Sequence, residues 1–294
     1  MAAADESLPA VWSGLDKLPE MDEGQFERWV ELLRERTGMC MPRERKSFLV
    51  TSVGLRMREV GYEDYDAYLQ YLVSGRGGNL EWTTLVDRLT VHETRFFRDA
   101  RSVDFVREAC LPAMLERMRS GEAVQLWSAG CSTGEEAFTL AMVMENELVR
   151  HGLSGYYGII GSDISLHSLA AAKQGIYHNR RLAQIPEGLR ERYCEPLGVS
   201  RFRIDDTLRR RVCFAQSNIL DAARAPFASM DVIYCQNVLI YFDREHRRQI
   251  LDGLSERLRD GGTLVLAPGE VIGWSNPRMR RVGDSGVLAF QRMG

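Results

Sequence analysis

The residue types best suited to chemistry fall in three short segments. The first is Trp127-Ser128-Ala129-Gly130-Cys131-Ser132-Thr133-Gly134-Glu135-Glu136, where an apolar run at 124–127 passes through glycines into a helical stretch. Glycines at such a turn let a ligand approach the backbone, and a helix N-terminus follows. Glu135 and Glu136 stand where a pyrophosphate would sit, so like charges would meet there. A ligand with a cationic or hydroxyl-bearing end suits the place better. Asp163 closes the next apolar run, about 27 residues beyond Glu136, where a carboxylate accepts hydrogen bonds from a ribose diol. Together these residues read as a site for an adenosyl group without a diphosphate, S-adenosylmethionine rather than NAD. The second segment is Thr90-Val91-His92-Glu93-Thr94-Arg95-Phe96-Phe97-Arg98-Asp99. Its paired aromatics are core anchors. Thr94 and Arg98, four residues apart, are expected to share one face of a helical turn, and the Arg98 fork suits a carboxylate. The third is Cys235-Gln236-Asn237-Val238-Leu239-Ile240-Tyr241-Phe242-Asp243, a strand running into a loop. Asn237 offers amide hydrogen bonds there, and Tyr241 a phenol to lie over a methyl group.

These segments need a frame. From residue 123 onward strand-like runs alternate with helical ones: strands near 124–127, 157–161, 230–235, 262–267 and 286–291, helices over 137–149, 166–174 and 244–258. The rhythm predicts a parallel, doubly wound sheet with its ligand at the carboxyl ends of the strands. Between 176 and 218 it is interrupted. Phe202, Ile204, Val212 and Phe214 alternate with polar residues around Asp205-Asp206, which predicts a small antiparallel insertion at about 178–216. Its many arginines suit either edge protection or a binding surface. Ahead of the α/β region, apolar spacing predicts four short helices: Phe26, Trp29, Val30 and Leu33 on the first, then runs from Pro42 to Gly61, 63–73 and 80–89. Residues 1–21 read as a flexible leader, 22–90 as a helical domain and 91–294 as the α/β domain.

Composition narrows the classes. The chain has 294 residues, 45% hydrophobic and 27% charged, with a net charge of −3. It can bury two cores, and it offers no general attraction to nucleic acid or an anionic membrane surface. No apolar run approaches a membrane span, and the N-terminus lacks a signal-peptide pattern. The six cysteines form no CxxC pair, and no histidine spacing suits a metal. Reduced thiols and a cytoplasmic location are the expectation. His246, with Arg244, Arg247 and Arg248, reads as an exposed helix face.

With these motifs in one order, residues 22–294 resemble the CheR family of chemoreceptor glutamate methyltransferases. The resemblance rests on Thr90 to Arg98, Trp127 to Glu136, Ser162-Asp163-Ile164 and Asn237 to Phe242. It implies a class I S-adenosylmethionine methyltransferase fold, doubly wound and Rossmann-like, with a small antiparallel β insertion and an all-α N-terminal domain before it. It also implies a cofactor site lined by His92, Thr94, Arg98, Glu136, Asp163, Asn218, Ile219, Asn237 and Val238. Arg98 and Tyr241 would stand nearest the chemistry, and S-adenosylhomocysteine would be the product. The implied substrate is a set of glutamates on the cytoplasmic domain of a methyl-accepting chemoreceptor, with no nucleic acid, no membrane insertion and no metal. Lys46, Arg56 and Arg58 on the second helix are candidates for receptor docking. A glutamate is already ionised at neutral pH, which fits motifs that hold no catalytic His–Asp or Cys–His pair.

The chain departs from the family pattern at several places. His92 stands where Asn is usual, Ala137 where Pro often follows the paired glutamates, and Gln236 where Arg is common. Ala267-Pro268-Gly269-Glu270 replaces a Gly-His-Ser-Glu-like segment, and Ser52 and Gly54 fall where the docking helix is usually basic. A divergent branch serving another receptor, such as a pilus-linked twitching-motility system, would account for them. Two alternatives stand beside the receptor reading: a cofactor-binding regulatory protein with weak or no catalysis, and a methyltransferase for a small molecule or nucleic acid. Against the latter, the third segment reads Asn237-Val238-Leu239-Ile240 rather than Asn/Asp-Pro-Pro-Tyr.

Overall fold

A computed structural model describes residues 18–90, 92–227 and 229–294. The expected leader therefore lies outside the described residues up to position 17. Its last residues are tied down: Met21 is buried, and the Tyr65 hydroxyl donates to the Pro19 carbonyl at 3.2 Å. The chain divides into two compact units. One comprises residues up to Leu33 together with Met41–Leu89; the other comprises Arg34–Cys40 and Thr90–Gly294.

The first unit is helical. Helix α1 (Glu23–Thr37) starts where Asp22 and Gln25 cap each other reciprocally, at 2.7 and 3.1 Å. It stops at Gly38, whose φ of 75° a side chain would resist. A 3-10 turn after Pro42 leads into α2 (Lys46–Glu59). Asp64 caps α3 (Tyr65–Ser74), and α4 (Gly78–Leu89) follows. Phe26, Trp29, Leu49, Val53, Met57, Tyr68, Leu72 and Leu85 form the core. Inside it, Arg56 grips both Glu81 oxygens at 2.7 Å, and the Tyr68 hydroxyl donates to the same carboxylate.

The second unit is built on a sheet. Helix α5 (Ala100–Phe105) runs through a π-helical turn into α6 (Leu111–Arg119). Strand β1 (Val124–Ala129) and helix α7 (Glu135–Arg150) flank the glycine turn. Then come β2 (Tyr157–Asp163) and α8 (Leu166–Gln174). The insertion holds β3 (Ile176–His178), α9 (Glu187–Tyr193), β4 (Cys194–Leu197) and β5 (Arg201–Ile204). After it come the short α10 (Asp206–Arg209), β6 (Val212–Gln216), β7 (Met230–Cys235) and α11 (Arg244–Arg257). Strands β8 (Leu258–Leu266), β9 (Met279–Arg281) and β10 (Leu288–Arg292) complete the sheet.

Seven strands order as β6-β2-β1-β7-β8-β10-β9. The first five run parallel, and β10 pairs antiparallel with β8 and β9. Alternate residues feed two cores: Leu126, Val232, Tyr234 and Val265 face one, Trp127, Ile233, Cys235 and Leu264 the other. Helices therefore cover both faces, as a doubly wound parallel sheet requires. No described helix is long and apolar enough to cross a membrane.

Two expectations about the insertion are corrected. Val212 and Phe214 do not pair with Phe202 and Ile204. They lie in β6, which runs parallel to β2 in the main sheet with Ile159 opposite Val212 and Asp163 opposite Gln216. The small antiparallel sheet instead orders β3-β5-β4, so its strands begin at Ile176 and end at Ile204. Asp205-Asp206 turns the chain into α10: the Asp205 side chain accepts the Thr207 N–H and caps that helix. An edge strand buried on one face shows the same period of two as a hairpin strand, so the pattern alone does not separate them.

Candidate functional site

Strand register sets the frame of the site. Ala129 pairs with Ser162 on one side, and Ser128 pairs with Tyr234 on the other. Past these pairs, Gly130, Asp163 and Gln236 stand at the carboxyl ends of three adjacent strands, β1 between β2 and β7. The backbone there is held open. Gly130 has a φ of 82°, and a Cβ on it would meet Val238 Cγ2 at 2.4 Å. Gly134, with φ of 92°, opens α7, and a Cβ there would meet Ala172 at 2.8 Å. Ser132, between them, also takes a positive φ.

Asp163 organises this turn. One oxygen accepts the Ser132 N–H at 2.8 Å and the other the Ser165 N–H at 2.9 Å. Each oxygen keeps a lone pair for a ligand hydroxyl. Burial raises the Asp163 carboxyl, while the N–H groups of Ser165 and Ser132 pull it back. His92 lies beside it: one ring nitrogen meets the Ser168 hydroxyl at 3.0 Å, the other the Thr90 hydroxyl at 2.9 Å, and its carbonyl accepts from the Ser132 hydroxyl.

The paired glutamates have separate roles. Glu135 points inward and is fully buried. It accepts from the Thr133 hydroxyl at 2.6 Å and pairs with Arg181 of the insertion. Arg181 also donates to the Thr94 carbonyl at 2.8 Å, and Gln184 accepts the Phe96 N–H. The insertion's arginine thus ties the second segment to the glycine turn, a role that neither edge protection nor a binding surface describes. Glu136 accepts from the Ser128 hydroxyl at 2.7 Å. Its carboxyl is pushed up to about 8, chiefly by burial, with Glu270 and Asp163 adding repulsion and Ser128 and Arg98 opposing it.

The helical turn expected over Thr94–Arg98 does not form. Residues 92–99 are irregular, because Phe97 takes a φ of 51° that no helix tolerates. Phe96 is buried as expected, edge-on to Tyr177, and the Phe97 N–H donates to Thr139. The Arg98 guanidinium folds back to donate to the Glu93 carbonyl at 2.7 Å, while its charge bears on Glu136.

The third segment turns on Asn237, with φ of 59°, a conformation Asn accepts more readily than most residues. Glu270 holds this turn. Its carboxylate, 3% exposed, accepts the Leu239 N–H at 3.1 Å and the Ala267 N–H at 3.2 Å, with the Asn237 and Ile240 N–H groups also bearing on it. From α11, Arg247 donates to the Leu239 carbonyl at 2.8 Å, so this arginine braces the turn rather than lying on an exposed face. Neither Glu270 nor Arg247 carries a sequence signal for this bracing role, beyond Glu270 being the residue the 267–270 segment shares with the pattern it otherwise departs from.

Asn218 caps the turn that follows β6, accepting the Leu220 N–H, and donates to the Arg36 carbonyl at 3.1 Å. Residues Arg34–Cys40 continue across this unit. The Cys40 N–H donates to the Tyr241 carbonyl at 2.8 Å, and Met39 bridges Phe242. Ile219, Val238 and Tyr241 are half-buried against the core beneath. Asp163 thus ends β2 and Asn237 follows β7, with Glu136 in the first turn of α7, His92 at Asp163 and Arg98 electrostatically at Glu136. In the helical unit the docking candidates are largely committed: Arg56 to Glu81 and Glu59, Lys46 to Glu23 at 3.0 Å. Arg58 is half-exposed.

These residues fit S-adenosylmethionine. Carboxylates and a glycine cradle suit a cationic ligand with a ribose diol, and the acidic first turn of α7, Glu135 and Glu136, would meet a diphosphate with like charge. Comparison with known proteins agrees. Residues 92–286 match the family model described as "CheR methyltransferase, SAM binding domain", and residues 24–90 match "CheR methyltransferase, all-alpha domain". The chain is similar to the "Chemotaxis protein methyltransferase" of Borreliella burgdorferi, 27% identical over 251 residues (84% of this chain, 88% of the relative). It is 30% identical over 272 residues to "Chemotaxis protein methyltransferase Cher2" of Pseudomonas putida (90% and 97%). It is 29% identical over 253 residues to the "Chemotaxis protein methyltransferase" of Escherichia coli (85% of each).

Proposed function

Because the chain belongs to the CheR methyltransferase family, we propose that it methylates glutamate side chains on the cytoplasmic helices of a bacterial chemoreceptor, acting in the cytoplasm. The observation that carries this reading is the match of both units to one family, in one order, over residues 24–90 and 92–286. S-Adenosylmethionine supplies an electrophilic methyl on a positively charged sulfur.

Asp163 accepts the ribose hydroxyls, with His92 and Ser132 fixing its surroundings. Glu136 faces the cationic end, and Thr94, Asn218, Ile219, Asn237 and Val238 line the remainder. Arg98 releases the Glu93 carbonyl to take one oxygen of the incoming glutamate, and Tyr241 bounds the space in which the methyl moves. The substrate carboxylate is ionised at neutral pH. Its oxygen takes the methyl in one displacement, a C–O bond forming as the S–C bond breaks, and no proton moves. The protein therefore supplies alignment and exclusion of water rather than a base. Arg98→Ala removes the carboxylate's partner.

Labelled methyl from the cofactor, offered a panel of receptor cytoplasmic fragments, is expected on protein as base-labile esters and to be lost in Arg98→Ala. Label on a small acid or RNA, with none on protein, would overturn the reading. So would tight cofactor binding with no transfer to any receptor.

A further inference from the structure

Gln236 is a buried side chain with an unmet need. It is 7% exposed, and neither its amide nitrogen nor its amide oxygen has a hydrogen-bond partner. A buried donor or acceptor left unpaired is costly, and here one side chain carries both. Its position is specific. It follows Cys235, the last paired residue of β7, and precedes the Asn237 turn. Strands β2 and β7 pair on opposite sides of β1, two strand spacings or about 10 Å apart where they pair, and Asp163 and Gln236 stand at their carboxyl ends.

A ligand held at Asp163 by its ribose and passing over Gly130 reaches β7 with its other end. For S-adenosylmethionine that end is an α-amino acid, which presents an acceptor and a donor together. We propose that the Gln236 amide holds the methionyl end of the cofactor, its nitrogen donating to the carboxylate and its oxygen accepting from the ammonium. The substrate glutamate is the other carboxylate that enters this edge of the sheet, but it offers no donor for the amide oxygen. The proposal does not depend on which protein carries the glutamate, so it stands or falls apart from the receptor reading.

The test is a calorimetric comparison of S-adenosylhomocysteine with 5′-methylthioadenosine, which lacks the amino-acid end, on the full chain and on Gln236→Leu. The variant is expected to bind S-adenosylhomocysteine roughly 10- to 100-fold more weakly, and methylthioadenosine as before. Its unliganded Tm is expected to equal or exceed the parent's, because an unpaired buried amide is replaced by an apolar group. Equal loss for both ligands, or loss for neither, overturns the proposal. A raised KM for the methyl acceptor with unchanged S-adenosylhomocysteine binding assigns the amide to the substrate instead. A fall in unliganded Tm shows that the amide serves the fold, and Gln236→Asn then separates shape from hydrogen bonding: unchanged S-adenosylhomocysteine affinity in a stable Asn variant also overturns it.

Discussion

Two carboxylates at the site, Asp163 and Glu136, differ in how fully the protein satisfies them. Asp163 accepts two backbone N–H bonds, whereas Glu136 accepts one hydroxyl and is pushed up to about 8. A carboxyl raised in the folded state is one whose neutral form the unliganded fold prefers, so the cost of ionising it appears above its ordinary value and grows until about pH 8. A cationic ligand reverses that preference. S-Adenosylmethionine affinity should therefore rise with pH by up to about tenfold per unit and level off above pH 8. Calorimetry in buffers of different ionisation enthalpy should show a proton released on binding at pH 7. Glu136→Gln should remove both the proton release and the slope. A slope unchanged in that variant would place the titrating group elsewhere.

At the scale of elements, the turns at the strand ends are held by distant residues. Glu270 gathers N–H groups of the 237–240 turn from 31 residues away in sequence. Glu270→Ala leaves several buried donors without an acceptor, so Tm should fall by several degrees and cofactor affinity with it; Glu270→Gln, which keeps an acceptor, should recover part of both. Gly38 is a second such point. A Cβ there would meet the Leu220 side chain at 2.5 Å, at a φ of 75°. Gly38→Val should displace the turn carrying Asn218 and Ile219 and weaken cofactor binding by about tenfold or more, with far-UV circular dichroism unchanged. How far these elements were legible in the sequence follows from the same physics. Helix α8 has its expected limits because Ser165 caps it and Gly175, at φ 61°, ends it: both signals are local. The partner of β6 is not legible, because its alternation is the same beside either sheet. Asp163 and Glu136 were legible by type and place, whereas Glu270 and Arg181 act through tertiary neighbours that no spacing reveals.

At the scale of the whole molecule, the two units divide the work. Every expected cofactor residue lies in the unit formed by Arg34–Cys40 and Thr90–Gly294. Hydrogen exchange followed along the full chain should therefore show S-adenosylhomocysteine slowing amides near 36–40, 130–136, 163–165 and 237–240, and leaving α2–α4 unchanged; protection spread through α2–α4 would refute this division. The helical unit rests on its own buried pair. Arg56→Ala takes the paired cation from the Glu81 carboxylate, leaving it the Tyr68 hydroxyl, and should cost about 2–3 kcal/mol, read as the early melting of one unit while ligand binding by the other persists. The net charge of −3 says nothing of this pair, since the two charges cancel inside the unit. Helix α1 begins among the residues of one unit and ends among those of the other. Recombination between relatives, in the laboratory or in a genome, thus has no single crossover point that exchanges the helical unit whole. A chimera joined at residue 90 imports a foreign 34–40 along with the helices, and inherits whatever grip that segment has on Asn218 and Tyr241. Grafts that keep the native 34–40 should retain cofactor affinity where simple fusions lose it.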